Sequence, residues 1–309
     1  MKINILFTLK NEPWGGGNQF LKSLKKELIA RNHYTNSFVN TDFYIFNSHH
    51  NLKKVKILKK LFPKKTFIHR VDGPIYKIRQ KDVKIDQEIY KANAQLADGT
   101  IFQSNWSREQ NYLQGMQKKA YEAVIINAPD QDIFNNQQSP VIKAGQKVKL
   151  IATSWSSNKK KGFDYYSYLD ENLDFSKFDF TFVGNSPIIF KNIQTINPLS
   201  SENLAEELKK RHIYITASEN DPCSNSLIEA MHCGLPALAL NNGGHPEIIK
   251  KAGVLFNNEQ EIIPALNKLV SNYANYQKNI SLPKINEVAG QYVSFSEKVR
   301  TAKLKKSNH

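Results

Sequence analysis

Cysteine is nearly absent from this chain of 309 residues: Cys223 and Cys233 are the only two. That excludes a disulfide framework and any four-cysteine zinc site, and it makes a reducing, cytoplasmic compartment the expectation. No run of about 18 apolar residues occurs, so no segment reads as a membrane-spanning helix. The chain opens directly as a strand, Lys2 to Phe7, without the apolar run and cleavage site of a signal peptide. Acidic residues are scarce in the first half. Residues 1–150 hold 25 Lys and Arg against 12 Asp and Glu, whereas residues 151–309 hold 18 against 16. Most of the net charge of +15 therefore sits in one half, which suits contact with something anionic: a membrane surface, a phosphorylated acceptor or nucleic acid.

What is present is ordinary globular composition, 40% hydrophobic and 23% charged, in a length of about two domains. Short apolar runs alternate with amphipathic stretches, the pattern of βαβ units and parallel sheets. Strands are expected at Ile3–Thr8, Phe43–Phe46, Thr66–His69, Gly99–Gln103 and Ala123–Asn127. The pattern restarts at Val148–Thr153, Asp179–Val183, Ile213–Ala217, Pro236–Leu240 and Val254–Phe256. Helices are expected over Phe20–Ala30, Asp164–Leu173, Glu202–Arg211, Ser226–Cys233 and Glu261–Tyr276. Between the halves, the polar stretch from Asn135 to Lys147, with Pro140 and Gly145, reads as a linker. The fold class is α/β, two similar doubly wound sheets. Ligands of such sheets bind at the strand carboxyl ends, so the loops after each strand are the places to look.

The first strand runs into Asn11-Glu12-Pro13-Trp14-Gly15-Gly16-Gly17-Asn18 and then a helix. Three glycines permit close backbone approach to an anion at the helix N-terminus, or they form a plain turn. The spacing matches neither the dinucleotide fingerprint nor a Walker loop. After the third strand comes His69-Arg70-Val71-Asp72-Gly73-Pro74, polar groups where a hydroxyl-rich or phosphorylated substrate would meet them; a strand-end His is also commonly structural. The second half opens with Lys159-Lys160-Lys161-Gly162 ahead of a helix. Lysines there oppose the helix dipole unless an anion such as a diphosphate offsets them, or they are a solvated basic loop. In the richest segment, Ala217 to Pro236, the carboxylates Asp221 and Glu229 can both face one pocket above the sheet, where each can accept charge-assisted bonds from vicinal hydroxyls. Cys223 and Cys233 in the same segment read as small buried hydrophobes.

The run from Asp221 to Pro236, followed by Gly243-Gly244-His245-Pro246-Glu247-Ile248-Ile249, resembles the donor site of retaining glycosyltransferases of family 4, which have the GT-B fold. The Gly15–Gly17 loop, His69, Ala97 to Ser104, Ile125 to Phe134, Lys161-Gly162, Phe182 to Asn185 and the Tyr292–Val299 stretch fit the family in order, so the similarity runs along nearly the whole chain. The resemblance implies an acceptor-binding domain over 1–145, a donor-binding domain over 146–281 and a C-terminal helix, 282–309, returning to the first domain across a cleft. It implies a nucleotide-diphosphate sugar as donor, with no cofactor and no metal. Glu229 would hold the ribose hydroxyls and Lys161 the diphosphate. Gly16 and Gly17, Asn225 and Ser226, and Gly243, Gly244 and His245 would meet the diphosphate and the sugar. His69, Asp221 and Lys161 would serve catalysis, and Arg70 and Asp72 the acceptor. Two departures stand out: Asp221 occupies a position where the family usually has Glu, and Ser154–Asn158 lacks an Arg that usually precedes the lysine.

From Phe43 to Val71 there is no acidic residue, yet Lys53, Lys54, Lys56, Lys59, Lys60, Lys64, Lys65 and Arg70 occur. Leu52, Val55, Leu58 and Phe62 form a helical stripe beside these lysines. The segment reads as a membrane-surface helix, a phosphate-binding face or a solvated helix. With the resemblance, an anionic or lipid-linked glycan acceptor at the inner face of the membrane is the expected partner, in polysaccharide or glycolipid synthesis. A nucleotide-sugar epimerase on the same fold and a basic nucleic-acid binder are the alternatives. The second is disfavoured because Phe62 is the only aromatic between Lys53 and Lys65.

Overall fold

A computed structural model describes residues 1–10, 16–79, 82–138 and 140–307; Asn11 to Gly15 of the glycine loop and Ser139 of the polar stretch lie outside the described residues. The chain divides into two compact units. One comprises Met1–Lys10, Phe20–Asn127 and Pro283–His309, the other Asn11–Gln19 and Ala128–Leu282.

In the first unit, β1 (Ile3–Leu6), β2 (Phe43–Asn47), β3 (Thr66–Val71), β4 (Gly99–Phe102) and β5 (Glu122–Val124) form a parallel sheet in that order. They are connected by α1 (Gly16–Ala30), α2 (Leu52–Leu61), α3 (Ile75–Arg79) with α4 (Val83–Leu96), and α5 (Asn105–Leu113). Every residue of β1 to β4 is buried, as expected of parallel strands covered on both faces. On the side of β1 away from β2, the chain adds a single parallel bridge between Ile3 and Tyr34. Apart from that bridge, the sheet runs in sequence order from β1 to β5. Helices α2 and α4 cover one face through Val55, Leu58, Ala92 and Leu96, which pack on Tyr44, Phe46 and Phe67.

The second unit is built from β6 (Val148–Ser154), α6 (Phe163–Asn172), β7 (Phe178–Gly184), β8 (Gln194–Ile196), α7 (Ser201–Lys209), β9 (Ile213–Thr216), α8 (Asn225–His232), β10 (Ala237–Leu240), α9 (His245–Ile249), β11 (Gly253–Phe256), α10 (Glu259–Ser271) and α11 (Tyr273–Lys278). Its strand order is β11-β10-β9-β6-β7-β8. The chain moves outward from β6 to β8, then crosses back to β9 on the other side of β6. The β6/β9 boundary is therefore a topological switch point, and the loops leaving those two strands flank its crevice. Phe163, Tyr166, Phe180 and Phe182 anchor the core behind them.

The contact boundary falls after Asn127, so the expected division at 145/146 lies inside the second unit. The physical reason is at Pro140: its carbonyl accepts from Tyr273 Oη and Gln277 Nε2, both at 2.9 Å, which ties the polar stretch to α11. The last helix, α12 (Ile285–Ser307), groups with the first unit and covers the second face of its sheet. Tyr292 packs against Phe20, and a Cβ on Gly99 would fall 2.8 Å from Val299 Cγ2. No helix among the described residues is long and apolar enough to cross a membrane.

Candidate active site

Three loops of the second unit converge at the carboxyl end of its sheet. After β6, Lys159–Lys161 form one 3-10 turn, started by Asn158, whose side chain accepts from the Lys160 amide at 3.0 Å. The turn ends at Gly162, in the left-handed region with φ of 83°, and a Cβ there would overlap the Ala217 backbone. Only glycine brings this turn so close to the loop that follows β9. Two ion pairs then join the loops: Lys160 with Glu219 at 3.2 Å, and Lys161 with Asp221 at 3.1 Å. Lys159 is exposed. Gly162→Ala should lower thermal stability by more than the roughly 1–2 kcal/mol of left-handed strain alone, because the neighbouring backbone must also move. A melting curve within 1 °C of wild type would show that the turn is not constrained in this way.

The loop after β10 closes the ring. Gly243, with φ of 60°, leaves no room for a Cβ against the Asp221 backbone. The Gly244 amide donates to Asp221 O at 2.9 Å, and the Asn220 amide donates to Asn242 Oδ1 at 2.6 Å. These bonds correct part of the expectation: the Gly244 and His245 amides are spent inside the loops, on Asp221 O and Asn242 O, and are not offered to a ligand. His245 is fully buried, its Nδ1 2.9 Å from Leu240 O, while its Nε2 has no partner among the described residues. Burial holds it below the ordinary imidazole pKa, against the pull of Asp221.

Asp221 Oδ1 also accepts from the Cys223 amide at 3.2 Å. Burial alone would raise its pKa; Lys161, His245 and these hydrogen bonds outweigh that and lower it. Glu229 is the opposite case. It stands one turn into α8, no hydrogen bond or ion pair holds its carboxyl among the described residues, and desolvation alone pushes its pKa up to about 8. Ahead of it, the N-terminus of α8 has no side-chain cap, so first-turn amides lack intrahelical acceptors and the dipole favours an anion there. Asn225 and Ser226 lie in that turn. Gly16, which groups with this unit, lies against the Asn225 side chain and has no room for a Cβ, whereas Gly17 faces open space. Lys161, Asp221, Glu229, Asn225 and Ser226 thus belong to one loop set. Tyr214 was not anticipated: its hydroxyl lies 2.8 Å from Thr153 Oγ1. A polar side chain on the strand entering the switch point was the available signal.

The first-unit candidates are placed differently, and two need correction. His69 is fully buried, stacked on Phe46 at 4.1 Å, with Nε2 2.9 Å from Ser48 O and Nδ1 3.2 Å from Asn93 Nδ2. Asn93 Nδ2 can only donate, so the imidazole is the neutral tautomer with its proton on Nε2, and burial pushes its pKa down to about 3. It is a core residue and not a group facing a sugar. Arg70 is fully buried too. Its guanidinium donates to Asn47, to Asp72 Oδ1 at 2.9 Å and to Asn127 Oδ1 at 2.9 Å, over the Phe20 ring. It orients Asp72 and does not reach an acceptor. Asp72, with its side chain 27% exposed and also bonded by Gln103, is the accessible member of this network. Its other members, Asn47, Gln103 and Asn127, each follow or end a strand.

Residues 189–282 match the family model described as glycosyl transferases group 1. No curated protein sequence matches. Sucrose-phosphate synthase from Thermosynechococcus elongatus superposes with a TM-score of 0.77 at 14% identity, covering 98% of this chain and all of that one. HepE from Anabaena, solved with UDP-glucose, gives 0.69 at 13% identity, covering 98% and 99%. AviGT4, a glycosyltransferase involved in avilamycin A biosynthesis, gives 0.69 at 12% identity, covering 97% and 98%. The chain has the GT-B fold and carries a group 1 glycosyltransferase domain in its second unit.

Proposed function

We propose that this chain, a group 1 glycosyltransferase by its second unit, transfers a sugar with retention from a nucleotide-diphosphate sugar to a hydroxyl acceptor, in the manner of family 4. The observation that carries the donor reading is Glu229, a desolvated carboxyl without a hydrogen-bond or ion-pair partner among the described residues, beside a helix N-terminus without a side-chain cap and a lysine. A ribose diol supplies two donors to the carboxylate, and a diphosphate supplies the charge for Lys161 and the α8 amides. The HepE complex holds UDP-glucose, which favours a donor of that class. Asp221, tied to Lys161, is assigned to the sugar.

In this mechanism the developing negative charge on the leaving diphosphate meets fixed positive groups already in position, which is electrostatic preorganisation. The leaving phosphate oxygen takes the proton of the acceptor hydroxyl on the face it departs from. Asp72 is the acceptor-side carboxylate, and an anionic or lipid-linked glycan is the acceptor class that the basic first half suits. Because lysine and amides answer the diphosphate, transfer should persist in EDTA. Release of nucleoside diphosphate with the donor in excess, measured with and without EDTA and Mg2+, tests this. Equal rates are expected, and activity abolished by EDTA and restored by Mg2+ contradicts it. Product analysis without an acceptor separates the epimerase reading, since an epimerised sugar would favour that enzyme.

A further inference from the structure

The lysines of α2 and of the segment that follows it divide into two sets, and Lys54, over the Phe38 ring, belongs with the engaged one. Lys59 is engaged: its ammonium pairs with Asp98 at 2.9 Å and sits over the Phe67 ring. Lys65 donates to the Val39 and Thr41 carbonyls. Lys53, Lys56, Lys60 and Lys64 are exposed, and among the described residues none has an ion-pair partner. At 100° per residue, Lys53, Lys56, Ile57, Lys60 and Leu61 fall in one arc of about 140°, opposite the buried stripe of Val55 and Leu58.

Ile57 and Leu61, 58% and 65% exposed, lie among the lysines on that arc. A face evolved only for solvation has no need of two large apolar side chains. Their neighbours continue the pattern. Lys303 of α12 donates to Pro63 O at 3.0 Å and Lys65 O at 2.7 Å, just past the end of α2, and the next residue, Leu304, is 49% exposed. Val39, whose carbonyl Lys65 binds, is 67% exposed. Since α2 leads into the start of β3, its far end lies at the amino edge of the sheet. Asn47, Asp72, Gln103 and Asn127 lie at the carboxyl edge. The patch thus runs along α2 from Lys53, near that carboxyl edge, to Leu61 at the amino edge.

We infer that this face docks on the surface of a bilayer containing anionic phospholipid, the lysines meeting headgroups and Ile57, Leu61, Val39 and Leu304 entering the headgroup boundary. Charge complementarity selects an anionic partner, and the interleaved aliphatic side chains select a lipid surface over nucleic acid, which takes aromatic and arginine contacts. The inference stands independently of the transfer reading. Each lysine near an anionic surface contributes about fivefold to the partition coefficient, within a Debye length.

Sedimentation with phosphatidylcholine vesicles, with and without phosphatidylglycerol, tests it. Wild type should pellet with the anionic vesicles at low salt and largely release at high salt. K53E/K56E/K60E/K64E should lose at least a hundredfold in partition coefficient, and I57S/L61S should lose the fraction that persists at high salt. Both variants change exposed side chains, so an unaltered circular dichroism spectrum and melting curve serve as the folding control. Absence of wild-type sedimentation, equal sedimentation with neutral vesicles, or either variant behaving as wild type overturns the inference. So does a duplex oligonucleotide that binds wild type and I57S/L61S equally and strips both from vesicles at equimolar phosphate.

Discussion

Glu229→Gln should weaken nucleoside-diphosphate binding at least tenfold at pH 8.5 and hardly at all at pH 6. The asymmetry follows from the carboxyl's pKa of about 8. Hydroxyl donors favour the ionised form, with each charge-assisted bond contributing about 1.5–3 kcal/mol, so binding draws a proton off Glu229. Below pH 8 the unliganded protein holds that proton, and wild-type affinity should fall by up to about tenfold per pH unit. Gln cannot ionise, so the variant should bind weakly at every pH, apart from the titration of the ligand's own phosphate, which both proteins share. Stability without ligand carries the complementary sign. Between pH 4.5 and 8 the folded state holds a proton the unfolded state has released, so stability falls as pH rises through that window. Calorimetric titration at several pH values reads the first effect. Parallel wild-type and variant profiles would remove Glu229 from the ribose site.

Asp221→Asn should reduce turnover far more than nucleoside-diphosphate affinity, by a hundredfold or more against a severalfold change. Asp221 neutralises Lys161 at 3.1 Å, accepts from the Cys223 amide and faces His245, so its charge is fixed in position on three sides. Losing it frees Lys161 for the diphosphate, which favours binding, while removing the carboxylate assigned to the sugar. The affinity for the whole donor should therefore fall more than that for the diphosphate alone. An equal drop in both would take Asp221 out of the sugar pocket.

The convergence of the second unit's loops is legible in the sequence because its signals are local. Lys161-Gly162, Asp221 and Glu229 each follow a strand that reads as a short apolar run, and the β6/β9 switch brings those strand ends together. The edge strand β8 escaped notice because Gln194-Thr195-Ile196 is polar and largely exposed, without an apolar run to mark it. His69 and Arg70 were misread for a different reason. All six residues of β3 are buried, so a strand covered on both faces offers no alternation to show which side chains reach the strand end. Their partners Asn93 and Asn127 lie 24 and 57 residues away. The domain boundary failed similarly: the polar stretch around Pro140 looks like a linker until Tyr273 and Gln277, more than a hundred residues on, donate to it.

The most direct test of the donor site is a thermal-shift screen of the whole chain against UDP, GDP, ADP and their sugar conjugates at pH 8.5. At a hundred times its dissociation constant, a ligand raises stability by about 2.7 kcal/mol, or about 5–10 °C for a unit of this size. At least one nucleoside diphosphate should shift wild type by that amount and Glu229→Ala by much less. Flat curves for every nucleotide, or equal shifts for wild type and Glu229→Ala, would contradict a nucleotide-sugar site built on these loops.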